Sequence, residues 1–328
     1  MKIIRDSDDT TVEASVCTTG AFDGVHVGHQ AVVNEVKNRA ESLGVASAVV
    51  TFDIHPALVV RPESAPKLLT RLERKLELLE ELGVDVVYVI EFDAERAATT
   101  AEEFVEDVFV GRLGAREILV GRDFKFGKGR EGTVQFLEEA GARFGFAVEG
   151  LDLVLHEPTA TEHVSSTAIR RALNGGDVEQ ANAMLGRPFE LLGEVVKGDQ
   201  RGRTIGFPTA NVVLTDDLAR PANGVYGCTY VLPDGSIAGA AVNVGVRPTF
   251  YEQADAAVLE AHLLDFPTDS SEPVDTDAVS GWEAGNLYGT QARVQFRHFL
   301  RSERRFNGIV ELKAQLDDDI AATRSLLH

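Results

Sequence analysis

Cysteine is almost missing from this chain: 328 residues hold two, Cys17 and Cys228, far apart and without a CxxC neighbour. That excludes a disulfide framework and a cysteine-built zinc site. Basic side chains are also few, 32 Lys and Arg against 52 Asp and Glu, for a formal net charge of −20. Such a field repels DNA and RNA unless a strong local basic patch intervenes, so no nucleic-acid partner is expected. No run approaches the roughly 18 apolar residues of a membrane span, and the opening MKIIRDSDDTTVEAS lacks the apolar core of a signal peptide. Internal repeats are absent too. These absences lead to the expectation of a soluble, cytoplasmic protein with no membrane partner. What is present is an ordinary globular balance, 44% hydrophobic and 26% charged, in a chain long enough for two domains at about 150 residues each.

The first part of the chain alternates two periodicities. β-rich runs at 16–20, 46–52, 84–92, 117–121 and 146–154 are separated by helical spacing at 29–43, 71–82, 101–113 and 133–144. This alternation predicts a parallel sheet with helices on both faces, whose ligands bind beyond the carboxyl ends of the strands. Two further helices are expected at 166–173 and 178–185, broken by Asn174-Gly175-Gly176-Asp177. From Phe189 to about Phe299 the pattern turns to short strands at 190–197, 209–214, 224–232, 237–244, 258–264 and 291–300, split by Pro and Gly turns. A small antiparallel barrel follows from that pattern, with a final helix over 308–327 covering one side. The boundary is placed near Gly186-Arg187-Pro188, giving domains 1–186 and 187–328.

Four clusters carry chemistry. Gly20-Ala21-Phe22-Asp23-Gly24-Val25-His26-Val27-Gly28-His29 follows a predicted strand and opens a helix. Its backbone N–H groups and positive helix end face any ligand there, and Gly20, Gly24 and Gly28 permit close approach. His26 and His29 can hydrogen-bond to phosphate oxygens as charge develops; a plain helix start with a surface histidine is the bland alternative. The stretch 121–130, GRDFKFGKGR, sets four basic residues against Asp123 at another strand end. It suits a polyphosphate, or is a solvated loop. Ser165-Ser166-Thr167 with Arg170 one turn on can bind an anion or merely cap a helix. In the β-rich half, Lys197-Gly198-Asp199-Gln200-Arg201-Gly202-Arg203 precedes Gly206-Phe207-Pro208-Thr209-Ala210-Asn211. The glycines and basic residues suit a phosphate-accepting loop, and Thr209 and Asn211 could offer hard oxygen ligands to Mg²⁺; an ordinary strand entry at Gly-Phe-Pro-Thr is the bland alternative. Glu260, inside an apolar run, is either a general base or the outward position of an edge strand.

Together these segments resemble the bifunctional riboflavin kinase/FMN adenylyltransferase family, the prokaryotic FAD synthetases. GAFDGVHVGHQ, TFDIHP, GRDFKFG, SSTAIR, GRTIGFPTAN, NVGVRPTF, EAHLLDF and LYG stand in the family's order. HxGH alone recurs in other nucleotidylyltransferases, whereas GFPTAN followed by RPTF and an acidic strand residue is specific. The resemblance implies a nucleotidylyltransferase-type parallel-sheet domain followed by a riboflavin kinase barrel. It implies two reactions: riboflavin and ATP giving FMN, then FMN and a second ATP giving FAD and pyrophosphate. By the same resemblance, Thr209 and Asn211 match Mg²⁺–ATP positions, and Glu260 matches the base acting on the ribityl hydroxyl. Gly198, Arg203, Gly206, Pro208 and Arg247 fall among the kinase's ATP- and flavin-binding positions. His26 and His29 match the residues that stabilise the α-phosphate. Gly20, Phe22, Asp23, Gly24, Gly28, Asp123, Ser166, Thr167 and Arg170 fall among the ATP and phosphate contacts of the adenylyltransferase.

Two departures stand out. Ile54 replaces the family's usual proline in TFDIHP, and residues 266–286, FPTDSSEPVDTDAVSGWEAGN, intervene between LLD and LYG. Such an acidic stretch is expected to be a mobile loop, read either as a gate on the flavin site or as an inert insertion. It keeps alive an alternative: a monofunctional FMN adenylyltransferase whose barrel binds flavin without phosphorylating it. A different HxGH transferase would leave GFPTAN unexplained, and a flavin-binding regulator would leave the phosphate clusters unexplained.

Overall fold

The computed structural model describes residues 1–152, 163–198, 201–246, 257–265 and 287–327. Contacts divide the chain into two compact units, Met1–Ser166 and Thr167–His328.

Among its described residues the first unit is built on six parallel strands: β1 (Lys2–Arg5), β2 (Ser15–Thr19), β3 (Ala46–Phe52), β4 (Val86–Ile90), β5 (Ala115–Gly121) and β6 (Ala147–Leu151). Their order is β1-β4-β3-β2-β5-β6. SVCTT in β2 and VVYVI in β4 are buried throughout, as strands covered on both faces must be. Alternate residues serve opposite layers. Val86, Tyr88 and Ile90 join one core with Cys17, Phe104 and Phe109, while Val87 and Val89 join another with Val33, Leu78 and Leu79. Helices Val27–Leu43, Leu72–Glu81 and Val134–Phe144 supply those layers. The strand order reverses beside β2, whose neighbours are β3 on one edge and β5 on the other. Ligands of open α/β sheets bind outside the carboxyl ends at such a reversal.

The predicted strands of this half are present with ends moved by a few residues. Several features went unread, among them a strand and a π-helix. β1 pairs in parallel with β4 although only Ile4 of its four residues is buried, too short a signal to register. The single helix expected over 101–113 is a short helix, Ala101–Phe104, opened by a Thr100–Glu103 capping box, followed by a π-helix, Val105–Arg112. There Leu113 N–H reaches back to Val108 O, and Phe104, Val105, Val108 and Phe109 stay in one core cluster.

The second unit is a closed antiparallel barrel of β7 (Phe189–Val196), β8 (Ala210–Val213), β9 (Gly224–Val231), β10 (Ile237–Val246), β11 (Ala257–Leu263) and β12 (Gln291–Arg301). The order round the barrel is β10-β11-β8-β7-β12-β9. Closure removes exposed edges. Phe189, Tyr226, Tyr230 and Phe296 are among the largest fully buried side chains. Helices Ser166–Asn174 and Val178–Leu185 precede the barrel and bond to it: Asn182 Nδ2 donates to Phe296 O at 2.8 Å, and Ala222 N–H to Leu173 O at 2.9 Å. Contacts thus group these helices with the barrel, whereas the sequence boundary at 186/187 counts them with the preceding half. Helix Ile309–Leu327 is pinned by Arg301, whose guanidinium holds the buried Asp319 carboxylate at 2.8 and 2.7 Å. Among the described residues no helix is long and apolar enough to cross a membrane.

Candidate functional site

In the first unit, the loop from β2 into helix Val27–Leu43 has an unusual backbone. Phe22 (φ 48°), Gly24 (φ 88°) and Val25 (φ 38°) all take positive φ. For Phe and the β-branched Val this costs of order 1–3 kcal/mol each, so neighbouring contacts must impose it. They do. Buried Asp23 accepts N–H bonds from Leu69 and Thr70 at 2.9 and 3.0 Å, and Thr70 Oγ1 accepts one from Gly24 at 3.0 Å. Ser166 Oγ donates to Asp23 O at 2.8 Å. Asp23, expected among the phosphate contacts, thus has a carboxylate turned to the 69–70 backbone, where it shapes the loop. Ser166 braces the same turn.

That turn delivers two imidazoles to a helix start. His26 is the N-cap, its Nδ1 accepting from His29 N–H at 3.3 Å. The two rings stack with centroids 3.6 Å apart and planes 15° from parallel, and Phe22 packs 4.9 Å from His29. A Cβ on Gly28 would lie 3.2 Å from the His26 ring, so glycine is what leaves room for the stack. Such a helix start can offer N–H donors to an anion beside the two rings.

Two more loops leave neighbouring strand ends. The loop after β5 is anchored by Phe126, which bridges to Gly132, and by Gly127, where a Cβ would strike Ala101 at 2.7 Å. Asp123, Lys125, Lys128 and Arg130 of this loop are exposed, and Arg122 pairs with Asp152 at 2.5 Å. After β3, Phe52, Asp53, Ile54, His55 and Pro56 line a small cleft with Ala21, Asp23, Thr70 and Lys75. Lys75 was missed by sequence reasoning. Its signal was available: in RLERKLELLEEL a lysine stands on the stripe of Leu72, Leu76 and Leu79.

In the second unit, Thr167 and Arg170 lie one turn apart on helix Ser166–Asn174, Thr167 exposed and Arg170 partly buried. The barrel brings together the other predicted residues. Glu260 of β11 stands directly opposite Asn211 of β8, and opposite Asn243 of β10 on its other side. Directly opposed residues share a face, so Asn211, Glu260 and Asn243 form a polar row across three strands. A cavity of about 220 Å³ opens there, lined by Phe207, Thr209, Asn243, Glu260, His262 and Arg301 among others. His262, two residues from Glu260 and also missed, has Nδ1 2.8 Å from Pro208 O. A carbonyl only accepts, so this nitrogen carries the proton and fixes the strand entry at Pro208-Thr209.

The Gly-rich loop is equally constrained. A Cβ on Gly198 would sit 2.5 Å from Asn211 Nδ2, and one on Gly202 2.3 Å from Phe207 O. Gly206 takes φ 91°. Arg203 follows Gly202 in the short helix Arg201–Thr204. Arg247 and the rest of RPTF, and the acidic segment 266–286, lie outside the described residues.

Comparison with known proteins bears on both halves. A family model for FAD synthetase matches residues 8–168, and one for riboflavin kinase matches residues 185–327. Curated relatives described as bifunctional riboflavin kinase/FMN adenylyltransferase include those of Haemophilus influenzae, 35% identical over 100% of both chains, and Escherichia coli K12, 37% identical over 99% of this chain and 97% of the relative. The Bacillus subtilis relative is 37% identical over 93% and 90%. A solved structure described as a macrolide-efflux protein from Streptococcus pneumoniae superposes with TM-score 0.81 at 28% identity, covering 99% of each chain. The efflux in that description is said of that protein; the likeness here is one of fold. On matches that span the full chain and both of its halves, this chain belongs to the bifunctional riboflavin kinase/FMN adenylyltransferase family.

Proposed function

We propose that the chain phosphorylates riboflavin with ATP to give FMN, then adenylylates FMN with a second ATP to give FAD and pyrophosphate, in the cytoplasm where ATP is available. The observation that supports this reading best is that one chain holds both a stacked His26–His29 pair at a helix start and an Asn211–Glu260–Asn243 row in a barrel. Two family matches in one chain favour this over a monofunctional adenylyltransferase with an inactive barrel.

In the barrel, Glu260 accepts the ribityl hydroxyl proton as that oxygen attacks the γ-phosphorus and the bond to ADP breaks. Thr209 and Asn211 would hold Mg²⁺. Their oxygens are hard and neutral, a carboxylate stands opposite, and Gly198 leaves the Asn211 amide uncrowded. That donor set fits a cation that keeps water and phosphate among its ligands. Held there, Mg²⁺ would supply charge neutralisation for the nucleotide phosphates. The protein's own part is positioning, which phosphoryl transfer chiefly requires. In the sheet unit, a phosphate oxygen of FMN attacks the α-phosphorus of ATP in line, and pyrophosphate leaves. His26, His29 and the helix N–H groups stabilise the charge that develops. No covalent enzyme intermediate is involved. The activity modules are taken as 1–186 and 187–328.

Incubating the protein with riboflavin, excess ATP and Mg²⁺ tests the reading, with flavins separated chromatographically over time. FMN appears first and FAD follows. FAD arising only from added FMN would restore the monofunctional alternative. A narrower test is Gly198→Ala, whose methyl displaces the Asn211 amide. A shift of about 1 Å can cost about 100-fold in rate, so FMN formation is expected to fall by about that factor. FAD formation from supplied FMN stays at the wild-type rate.

A further inference from the structure

Lys75 is the cation that sequence reasoning passed over. It is 7% exposed, and its ammonium donates to Thr51 Oγ1 at 3.2 Å and to Phe52 O at 3.1 Å. Thr51 Oγ1 in turn donates to Ala21 O at 3.2 Å. One side chain thereby ties the end of β3 to the entry of the loop that delivers His26 and His29.

Carboxylates act on it from two loops. Asp23 faces the ammonium from the loop after β2 and Asp53 from the loop after β3, while His55 and Thr70 line the same cleft. On its own helix, Arg74 is held by Glu77 and Glu81 at 2.8 and 2.9 Å. Asp23 is fixed by Leu69 and Thr70, and Asp53 Oδ1 accepts from Ile54 and Phe92 at 2.6 and 2.9 Å. Neither carboxylate can turn away. Without the ammonium, Asp23 and Asp53 would lose one countercharge beneath a site that must receive two anionic substrates. The cleft has a volume of about 20 Å³, room for about one water and no substrate group. Lys75 therefore acts through the framework.

We infer that Lys75 is a positioning residue of adenylyl transfer, whose charged ammonium holds the loop entry at Ala21 and offsets Asp23 and Asp53 beneath the anionic substrates. This rests on the adenylyltransferase reading above. Burial lowers Lys75 from the usual lysine value to about 8, against the opposing pull of Asp23 and Asp53. The group therefore loses its charge within an accessible range. The unfolded chain, with an ordinary lysine near 10.5, binds more protons than the fold between about pH 8 and 10.5. This group consequently makes the fold more stable as pH rises there, and unfolding through it cannot mimic a loss of activity.

The test is kcat/KM for FMN from pH 6.5 to 9.5 in wild type, Lys75→Met and Lys75→Arg, a ratio that reports groups of the free enzyme. In the wild type it falls about tenfold per pH unit above about 8. Lys75→Arg keeps its charge and loses that basic limb. Lys75→Met is reduced at pH 7 by about 10- to 100-fold and is flat above it. A flat wild-type profile overturns the proposal, as does a limb that persists in either variant. Should both variants unfold in a thermal melt, the wild-type profile alone decides. Failure to form FAD at any pH would instead reject the adenylyltransferase reading.

Discussion

Glu260→Gln is expected to reduce FMN formation from riboflavin by about 10²–10⁴-fold, the usual contribution of a positioned general base. FAD formation from supplied FMN should stay unchanged. The substitution is nearly isosteric, so the Asn211–Glu260–Asn243 row keeps its shape and loses only its proton acceptor. Glu260 is partly buried beside the 220 Å³ cavity. A structural cause is tested by following the barrel's thermal transition, which should move little. Phosphoryl transfer has a loose transition state, in which the attacking hydroxyl needs its proton removed late. The loss should therefore appear in kcat with KM for riboflavin nearly unchanged. Kinase activity within a few-fold of wild type would relegate Glu260 to an outward position on its strand.

Much of this architecture was legible because its signals are local. VVYVI is a continuous apolar run, as strands covered on both faces often are, and SVCTT, mixed in polarity, is marked as a strand by its β-branched residues. The loop 20–29 could be placed at a strand end because it joins a strand pattern directly to a helix pattern. Its mechanics could not be read. The positive φ of Phe22 and Val25 is imposed by Leu69 and Thr70 through Asp23, contacts distant in sequence. For the same reason the hold of the Asp23 carboxylate on the 69–70 backbone could not be seen in the sequence. In the barrel, GFPTAN and EAHLLDF were each visible, but the register that sets Glu260 against Asn211 is a property of strand pairing. Lys75 illustrates a different gap. A lysine among leucines at helical spacing violates the apolar stripe, and such violations are expected where function constrains the fold.

His29→Ala is expected to lower FAD formation from FMN by about 10²–10³-fold, the cost of removing one oxyanion-type donor. FMN formation from riboflavin should be untouched. His29 is the better probe of the pair. His26 is also the helix N-cap, so its loss removes the acceptor for His29 N–H and costs about 1 kcal/mol of helix stability before any chemistry is considered. His29 has no such capping duty; its ring stacks on His26 and packs by Phe22 at the first turn of the helix. Truncating it leaves the backbone N–H groups and the helix end in place, so ATP should still bind while transfer slows. A fall in kcat with a nearly constant KM for ATP is the signature of a donor that acts mainly in the transition state. If KM for ATP rises and kcat holds, the imidazole contributes ground-state binding only. If neither changes beyond a few-fold, the stacked pair is a helix start with two packed histidines, and the charge of transfer must be met by the N–H groups and the basic loop after β5.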